Sequence, residues 1–239
     1  MSELPSRLDE LARSPVLLVA SDYDGTIAPL VSHPAAAEAD RETIVALKAL
    51  ARMPQTHVAL ISGRALSDLA SRTREVDEVH LVGSHGSEFE AGFATPLSAE
   101  ARSLLERLRN ELASGAASSP GFLVEEKPAS LALHYRNADE RIARAAVDAI
   151  LRGPATWPGV HVRHGKKVIE LSVVETNKGT ALRRIRRRLG ATAVLFLGDD
   201  VTDEDAFDTL LGPDVGVKVG PGESRARFRA ANTIEVARI

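Results

Sequence analysis

Residues 17–30 read LLVASDYDGTIAPL: an apolar run ends on two aspartates one residue apart, followed at once by glycine and threonine. Two carboxylates that close repel each other by roughly 4 kcal/mol at about 4 Å with an effective dielectric of about 20. A chain that keeps them needs a compensating charge nearby. A hard cation meets that need, because magnesium takes oxygen ligands, keeps some of its waters and is commonly held by one or two carboxylates together with substrate phosphate.

Several runs share the apolar character of the first: VLLVA (16–20), HVALI (57–61), VHLVG (79–83), AVLFLG (193–198) and VGVKVG (215–220). They are β-branched and do not alternate, which predicts strands buried on both faces of a parallel sheet. Helical spacing lies between them. Leu47, Leu50 and Ala51 share one face behind an Asp40 cap, and Ala181, Leu182, Ile185 and Leu189 share another. Strands alternating with helices predict a doubly wound α/β domain. The middle of the chain differs: LALHYR (131–136) and KVIELS (167–172) alternate apolar with polar residues, the mark of a sheet with one wet face. Helical patterns at about 99–113 and about 139–151 accompany them. An α+β unit over 99–172 is therefore expected, inserted into a discontinuous core of 1–98 and 173–239.

Thirty Lys plus Arg against 33 Asp plus Glu leave a net charge of −3, and only 4% of the residues are aromatic. That balance argues against a nucleic-acid groove, which needs a basic surface and stacking platforms. With no cysteine, thiol nucleophiles, disulfides and thiolate metal sites are excluded. The opening MSELPSRLDELARS lacks the apolar core of a signal peptide, and no apolar run reaches the length of a membrane span. The expectation is a cytoplasmic monomer acting on a small molecule, with neither nucleic acid nor membrane as partner.

Open α/β sheets bind ligands beyond the carboxyl ends of their strands. Those ends carry Asp22 and Asp24, Ser62-Gly63-Arg64, Ser84-His85-Gly86 and Asp199-Asp200. Any one of them alone reads equally well as a helix cap or a turn; together they predict one polar crevice, with Asp22 and Asp199 sharing a cation. Neither a phosphate-cradling P-loop nor a dinucleotide fingerprint occurs. Asn177 reads as a helix cap with Lys178 in the first turn, where a cation opposes the helix dipole; a bound anion would explain it. The arginines at 183, 184, 186, 187 and 188 read as the exposed face and C-terminal end of that helix.

DYDGT, SGR, NKG and GDDVTDEDAF occur in the order of four motifs, and on them the chain resembles the haloacid dehalogenase-type (HAD-like) phosphatase superfamily. GDDVTDEDAF and the insert EEKPASLALHYR bring the resemblance to the trehalose-6-phosphate phosphatase family. The resemblance implies a core with an inserted cap and magnesium-dependent hydrolysis of trehalose 6-phosphate to trehalose and phosphate. It implies that Asp22 attacks phosphorus to form an aspartyl phosphate and that Asp24 serves as acid and then base. Ser62 and Lys178 would hold the phosphoryl oxygens. Metal ligation would involve Asp22, the backbone carbonyl of Asp24, and Asp199, with Asp200 and Asp203 close by. Sugar contacts would come from Glu125, Lys127, Arg136, Lys166 and Glu170 of the cap, with Arg64 and His85 from the core. The competing readings are a phosphatase of another glycosyl phosphate (sucrose phosphate or a glycosyl-phosphoglycerate), a sugar phosphomutase, and a catalytically silent sugar-phosphate sensor.

Overall fold

The computed structural model describes residues 3–31, 36–74, 76, 78–90, 97–114, 120–165 and 167–239. In chain order, the first elements are α1 (Leu4–Leu11), β1 (Leu17–Ser21), α2 (Arg41–Ala51), β2 (Thr56–Ile61), α3 (Leu66–Arg72), β3 (Val79–Gly83) and β4 (Glu88–Phe89). Then come α4 (Ala99–Ser114), β5 (Leu123–Lys127), β6 (Ser130–His134), α5 (Glu140–Arg152), β7 (His161–Gly165) and β8 (Val168–Ser172). The chain closes with α6 (Lys178–Leu189), β9 (Ala193–Gly198), α7 (Val201–Phe207), β10 (Val215–Val219), β11 (Phe228–Ala230) and α8 (Thr233–Val236). Two compact units result: Met1–Ala94 with Thr176–Ile239, and Thr95–Glu175.

In the first unit the described strands form a sheet in the order β11-β10-β9-β1-β2-β3-β4, parallel except for the β3–β4 pair. The apolar runs do not alternate because both faces are buried. Val19, Val58, Leu60, Leu195, Leu197 and Val217 pack into one core, while Leu18, Ala20, Ala59, Ile61, Val194 and Phe196 pack into another. Each valine, leucine, isoleucine or phenylalanine among them contributes roughly 1.5–3 kcal/mol by leaving water. Register does the rest. Ser21 lies opposite both Leu60 of β2 and Leu197 of β9, so the residues that follow the three strands come out side by side.

Capping fixes where the flanking helices begin. The Asp40 carboxylate accepts from the Glu42 N–H, and Asn177 and Thr180 exchange side-chain and backbone hydrogen bonds at the start of α6. Such caps are worth about 1 kcal/mol each. The arginine-rich end of α6 behaves as expected of a helix C-terminus, with Arg186, Arg187 and Arg188 in the last turn and Arg186 paired to Asp214 at 2.6 Å. No described helix is long and apolar enough to cross a membrane.

The second unit holds an antiparallel sheet in the order β5-β6-β8-β7. Leu131, Leu133, Ile169 and Leu171 point into a core with Leu105, Leu108 and Leu112 of α4 and Ile150 of α5, as the alternation predicts, but the opposite face is not uniformly wet, since Ser130, Ala132 and Ser172 on it are buried too. The intervening residues Ser130, Ala132, His134, Glu170 and Ser172 share the opposite face.

Candidate active site

The register of β1, β2 and β9 places Asp22, Ser62 and Asp199 at the carboxyl edge of the sheet, where a cleft of about 640 Å³ opens. Asp22, Asp24, Ser62, Arg64, His85, Lys178, Asp199 and Asp200 all line it. Of the core residues given a role in the site from sequence, Asp203 alone lies behind the cleft wall, completely buried, rather than lining it.

Asp22 is held at the end of β1 by its N–H, which donates to the Leu197 carbonyl at 2.9 Å. Its side chain is buried, and the Lys178 ammonium lies 2.8 Å from its Oδ1. The same ammonium donates to Asp203 Oδ1 at 2.8 Å. The lysine that opposes the dipole of α6 is therefore held by anions of the chain itself. Burial drives the Asp22 pKa up more strongly than Lys178 pulls it down, and the carboxyl is pushed up to about 7. Burial would lower the Lys178 pKa, but the two carboxylates outweigh it and hold the ammonium well above its ordinary range.

Asp203 is completely buried. Its Oδ2 accepts from the N–H groups of Asp199 at 3.0 Å and Asp200 at 2.9 Å, which fixes the turn between β9 and α7. Asp199 has its pKa raised by burial first and by the Asp203 charge second. Asp22, Asp199 and Asp203 each offer a carboxylate oxygen, all within 4.8 Å of one another. An oxygen-only set of mutually repelling acids, two buried and Asp199 half-buried, is the chemistry that a hard cation satisfies. Asp200 is placed differently from the other expected ligands: its carboxylate caps α7, accepting from the Val201 N–H at 2.7 Å.

Gly25 adopts φ +85°, and a Cβ there would come within 2.0 Å of Asp199 Oδ2. The DYDGT turn needs glycine on both counts. Thr26, fully buried, donates to Asp199 Oδ1 at 3.3 Å and so ties the two aspartate loops together.

The SGR and SHG segments are locked to each other. The Ser62 N–H donates to the Val82 carbonyl, the His85 N–H to the Ser62 carbonyl and the Ser84 N–H to the Arg64 carbonyl. Ser84 and His85 both adopt left-handed backbone, at φ 49° and 53°. This conformation is uncommon for residues with a Cβ. A Cβ on Gly63 would meet the His85 ring at 2.6 Å, so the imidazole rests directly on that glycine. Arg64 directs Nε and Nη2 at the two Asp24 oxygens, at 2.6 and 2.5 Å, and Nη1 at Asp68 Oδ2, at 2.6 Å. Expected as a sugar contact, Arg64 is engaged by two carboxylates of its own chain.

In the second unit Glu125, Lys127 and Glu170 lie on the polar sheet face, with Lys127 Nζ 3.4 Å from Glu170 Oε2. Arg136 is exposed in the turn after β6, and Lys166 lies outside the described residues. Sequence reasoning passed over Thr26, Asp68, Lys218 and Ser130. Asp68 carried a signal, since it stands four residues after Arg64 at helix-pair spacing. Lys218 is a buried lysine whose ammonium donates to the Asp199 carbonyl, and an apolar strand run gave no sign of that.

The chain is similar to known proteins over almost its whole length. It is 36% identical over 247 residues to a trehalose-phosphate phosphatase of Mycobacterium ulcerans, covering 97% of this chain and 62% of that protein. It is 34% identical to a bifunctional trehalose-6-phosphate synthase/phosphatase of Thermoproteus tenax, covering 93% of this chain and 31% of that protein. The chain therefore spans under two thirds of the length of these relatives. Among solved structures, the C-terminal domain of the Candida albicans trehalose-6-phosphate phosphatase superposes with a TM-score of 0.68 at 25% identity, covering 98% of this chain and 93% of that one. The Aspergillus fumigatus trehalose-6-phosphate phosphatase gives 0.67 at 26% identity, covering 98% and 94%. A family model described as trehalose-phosphatase matches residues 20–231, from the strand that carries Asp22 to the last strand of the sheet and across the whole inserted unit, and the chain belongs to that family.

Proposed function

We propose that the chain hydrolyses trehalose 6-phosphate to trehalose and inorganic phosphate, with Asp22 as the nucleophile. The observation that carries this reading is the Lys178 ammonium, 2.8 Å from both Asp22 and Asp203. One cation thus serves two buried carboxylates beside Asp199, and of the two only Asp22 faces the cleft, which is wide enough for a phosphorylated sugar.

An Asp22 oxygen attacks phosphorus while the bond from phosphorus to the sugar oxygen breaks, and Asp24 gives its proton to the leaving oxygen. Water then attacks the aspartyl phosphate, Asp24 takes the water proton, and phosphate departs with Asp22 restored. Because Arg64 engages both Asp24 oxygens, proton transfer requires that this fork open on at least one side. Ser62 and Lys178 receive the phosphoryl oxygens, and Lys178 also keeps negative charge on Asp22 tolerable. Positioning and charge stabilisation of this kind do most of the work in phosphoryl transfer.

Asp22, Asp199 and the Asp24 backbone carbonyl would hold Mg²⁺, which supplies positive charge to the phosphoryl oxygens and to the acidic cluster. Asp203 orients the loop from within, and Asp200 contributes through its cap at the cleft wall. Recognition of the sugar falls to the polar face of the second unit, with Glu125, Lys127 and Glu170 as hydroxyl partners.

Phosphate release from a panel of sugar phosphates, with and without magnesium, tests the assignment. Trehalose 6-phosphate is expected to be the preferred substrate and chelation to stop turnover. A better rate on sucrose phosphate or a glycosyl-phosphoglycerate would move the assignment to that substrate, and transfer without release of phosphate would point to a mutase.

A further inference from the structure

Two consecutive residues with a Cβ, Ser84 and His85, hold left-handed backbone in the short turn 84–86 that follows β3. Such conformations cost free energy and persist where the surroundings over-determine them. Here the surroundings are two loops of the cleft. On one side the Ser84 N–H donates to the Arg64 carbonyl at 2.7 Å and the His85 N–H to the Ser62 carbonyl at 2.9 Å. On the other, Gly86, at φ +102°, lies so close to α6 that a Cβ on it would meet the Asn177 carbonyl oxygen at 2.8 Å and the Ala181 Cβ at 3.2 Å. The turn is thus wedged between the segment that carries Ser62 and the helix start that carries Lys178. One side chain fastens it there. Glu88, half-buried at the start of β4, accepts from the Ser84 hydroxyl through Oε1 and from the Leu66 N–H at 3.1 Å through Oε2. Leu66 opens α3, whose cap position holds Ala65 and supplies no side-chain acceptor. The Glu88 carboxylate stands in for that cap from 22 positions away. Its two oxygens therefore tie the strained turn to the helix that follows Ser62-Gly63-Arg64.

We infer that Glu88 is a positioning residue for phosphoryl binding: by latching the 84–86 turn it sets the separation of Ser62 and Lys178, the two groups that receive the phosphoryl oxygens. The inference rests on the roles proposed for Ser62 and Lys178. Glu88 itself is not among the residues that line the cleft, so it acts through the turn and not on the substrate. Without its carboxylate the left-handed pair is free to relax toward ordinary backbone, and the turn that spaces the Ser62 segment from Asn177 shifts with it. Catalysis is sensitive to such movement, since a misplacement of about 1 Å can cost about 100-fold in rate. The latch works on the phosphoryl end alone. Its loss is therefore felt alike by every phosphate ester, whatever alcohol is attached.

The experiment measures kcat, KM and the inhibition constant of inorganic phosphate for the magnesium-loaded wild type, Glu88→Ala, Glu88→Gln and Ser84→Ala, with thermal unfolding of each. Trehalose 6-phosphate and p-nitrophenyl phosphate serve as substrates. Glu88→Ala should lower kcat/KM by about 10–100-fold, by the same factor on both esters, and weaken inhibition by phosphate about tenfold. Glutamine has the same shape: its carbonyl accepts from the Leu66 N–H, and its amide donates to the Ser84 hydroxyl, which can turn to accept. Glu88→Gln should therefore recover most of both losses. Should Glu88→Ala fail to fold, Ser84→Ala, which removes one of the two ties, carries the comparison with phosphate inhibition weakened by about threefold. A lowered melting temperature with unchanged phosphate inhibition, or a loss confined to trehalose 6-phosphate, would overturn the latch. A wild type that prefers another phosphate ester to trehalose 6-phosphate would instead overturn the functional reading, and the rates on p-nitrophenyl phosphate would still decide the latch.

Discussion

Arg64 grips Asp24 with two nitrogens of one guanidinium, Nε at 2.6 Å and Nη2 at 2.5 Å from the two carboxylate oxygens. The guanidinium side chain is only 8% exposed, and its third nitrogen holds Asp68. Replacing it by methionine takes the guanidinium from Asp24 and leaves Asp68 with Arg72 alone. Breaking a fully buried pair costs about 3–5 kcal/mol, and since both aspartates keep contact with solvent the cost here should be about 2 kcal/mol. Melting temperature should fall by about 4–8 °C. Arg64→Lys keeps the charge but not the fork and should recover no more than part of the loss. Wild-type stability in Arg64→Met, followed by thermal unfolding, would contradict the arrangement.

Asp68 provides a pH dependence of definite sign. Burial works against its ionisation, but hydrogen bonds from Arg64 and Arg72 outweigh burial and hold its pKa below the ordinary 3.8. A carboxyl lowered in the folded state contributes stability above its unfolded pKa and loses it as pH falls through the folded value. Asp68→Asn should therefore be less stable than wild type at pH 7, and the gap should close below pH 3.8. A gap independent of pH would assign the loss to packing instead.

Removing Lys178 should be more damaging than removing any surface lysine. Lys178→Met leaves Asp22 and Asp203 buried together without their cation, a defect of about 3–5 kcal/mol. Turnover should be lost as well. Asp203→Asn in the same background relieves the repulsion, so the double variant should be more stable than Lys178→Met while remaining inactive. Denaturant unfolding of Lys178→Met, Asp203→Asn and the double variant checks this, and strictly additive losses would contradict the coupling.

Gly25→Ala tests the packing of the two aspartate loops. The new Cβ would fall 2.0 Å from the Asp199 carboxylate at a backbone φ of +85°. The chain should fold with reduced stability, by about 1–3 kcal/mol for the backbone conformation, and should need far more magnesium for activity because Asp199 is displaced. An unchanged magnesium requirement would mean that Asp199 stands outside the metal site.

Much of this was legible in the sequence because it follows from local pattern. Buried strands such as AVLFLG announced themselves by apolar residues at every position, and β9 spans that run from Ala193 to Gly198. The Asp40 and Asn177 caps were readable from side-chain chemistry beside helical spacing. The edge strands β4 and β11 were not, since two or three residues carry no periodicity. Contacts set by register were also hidden. Arg64 and Asp24 are 40 positions apart and meet because parallel strands end together, a fact that neither SGR nor DYDGT contains. The divided roles of Asp200 and Asp203 could have been found: an acid at the cap and another three residues on, inside the first turn, form a capping box, which predicts that the first faces the helix end and the second reaches back.

The central claim is that Asp22 attacks phosphorus. Rapid acid quench of the magnesium-loaded enzyme with trehalose 6-phosphate labelled with ³²P at the phosphoryl group tests it most directly. The account predicts label bound to the wild-type chain, released by hydroxylamine as an acyl phosphate is, and absent from Asp22→Asn, whose phosphate release should fall to near background. Substantial turnover in Asp22→Asn, or label retained on the chain in that variant, would contradict it.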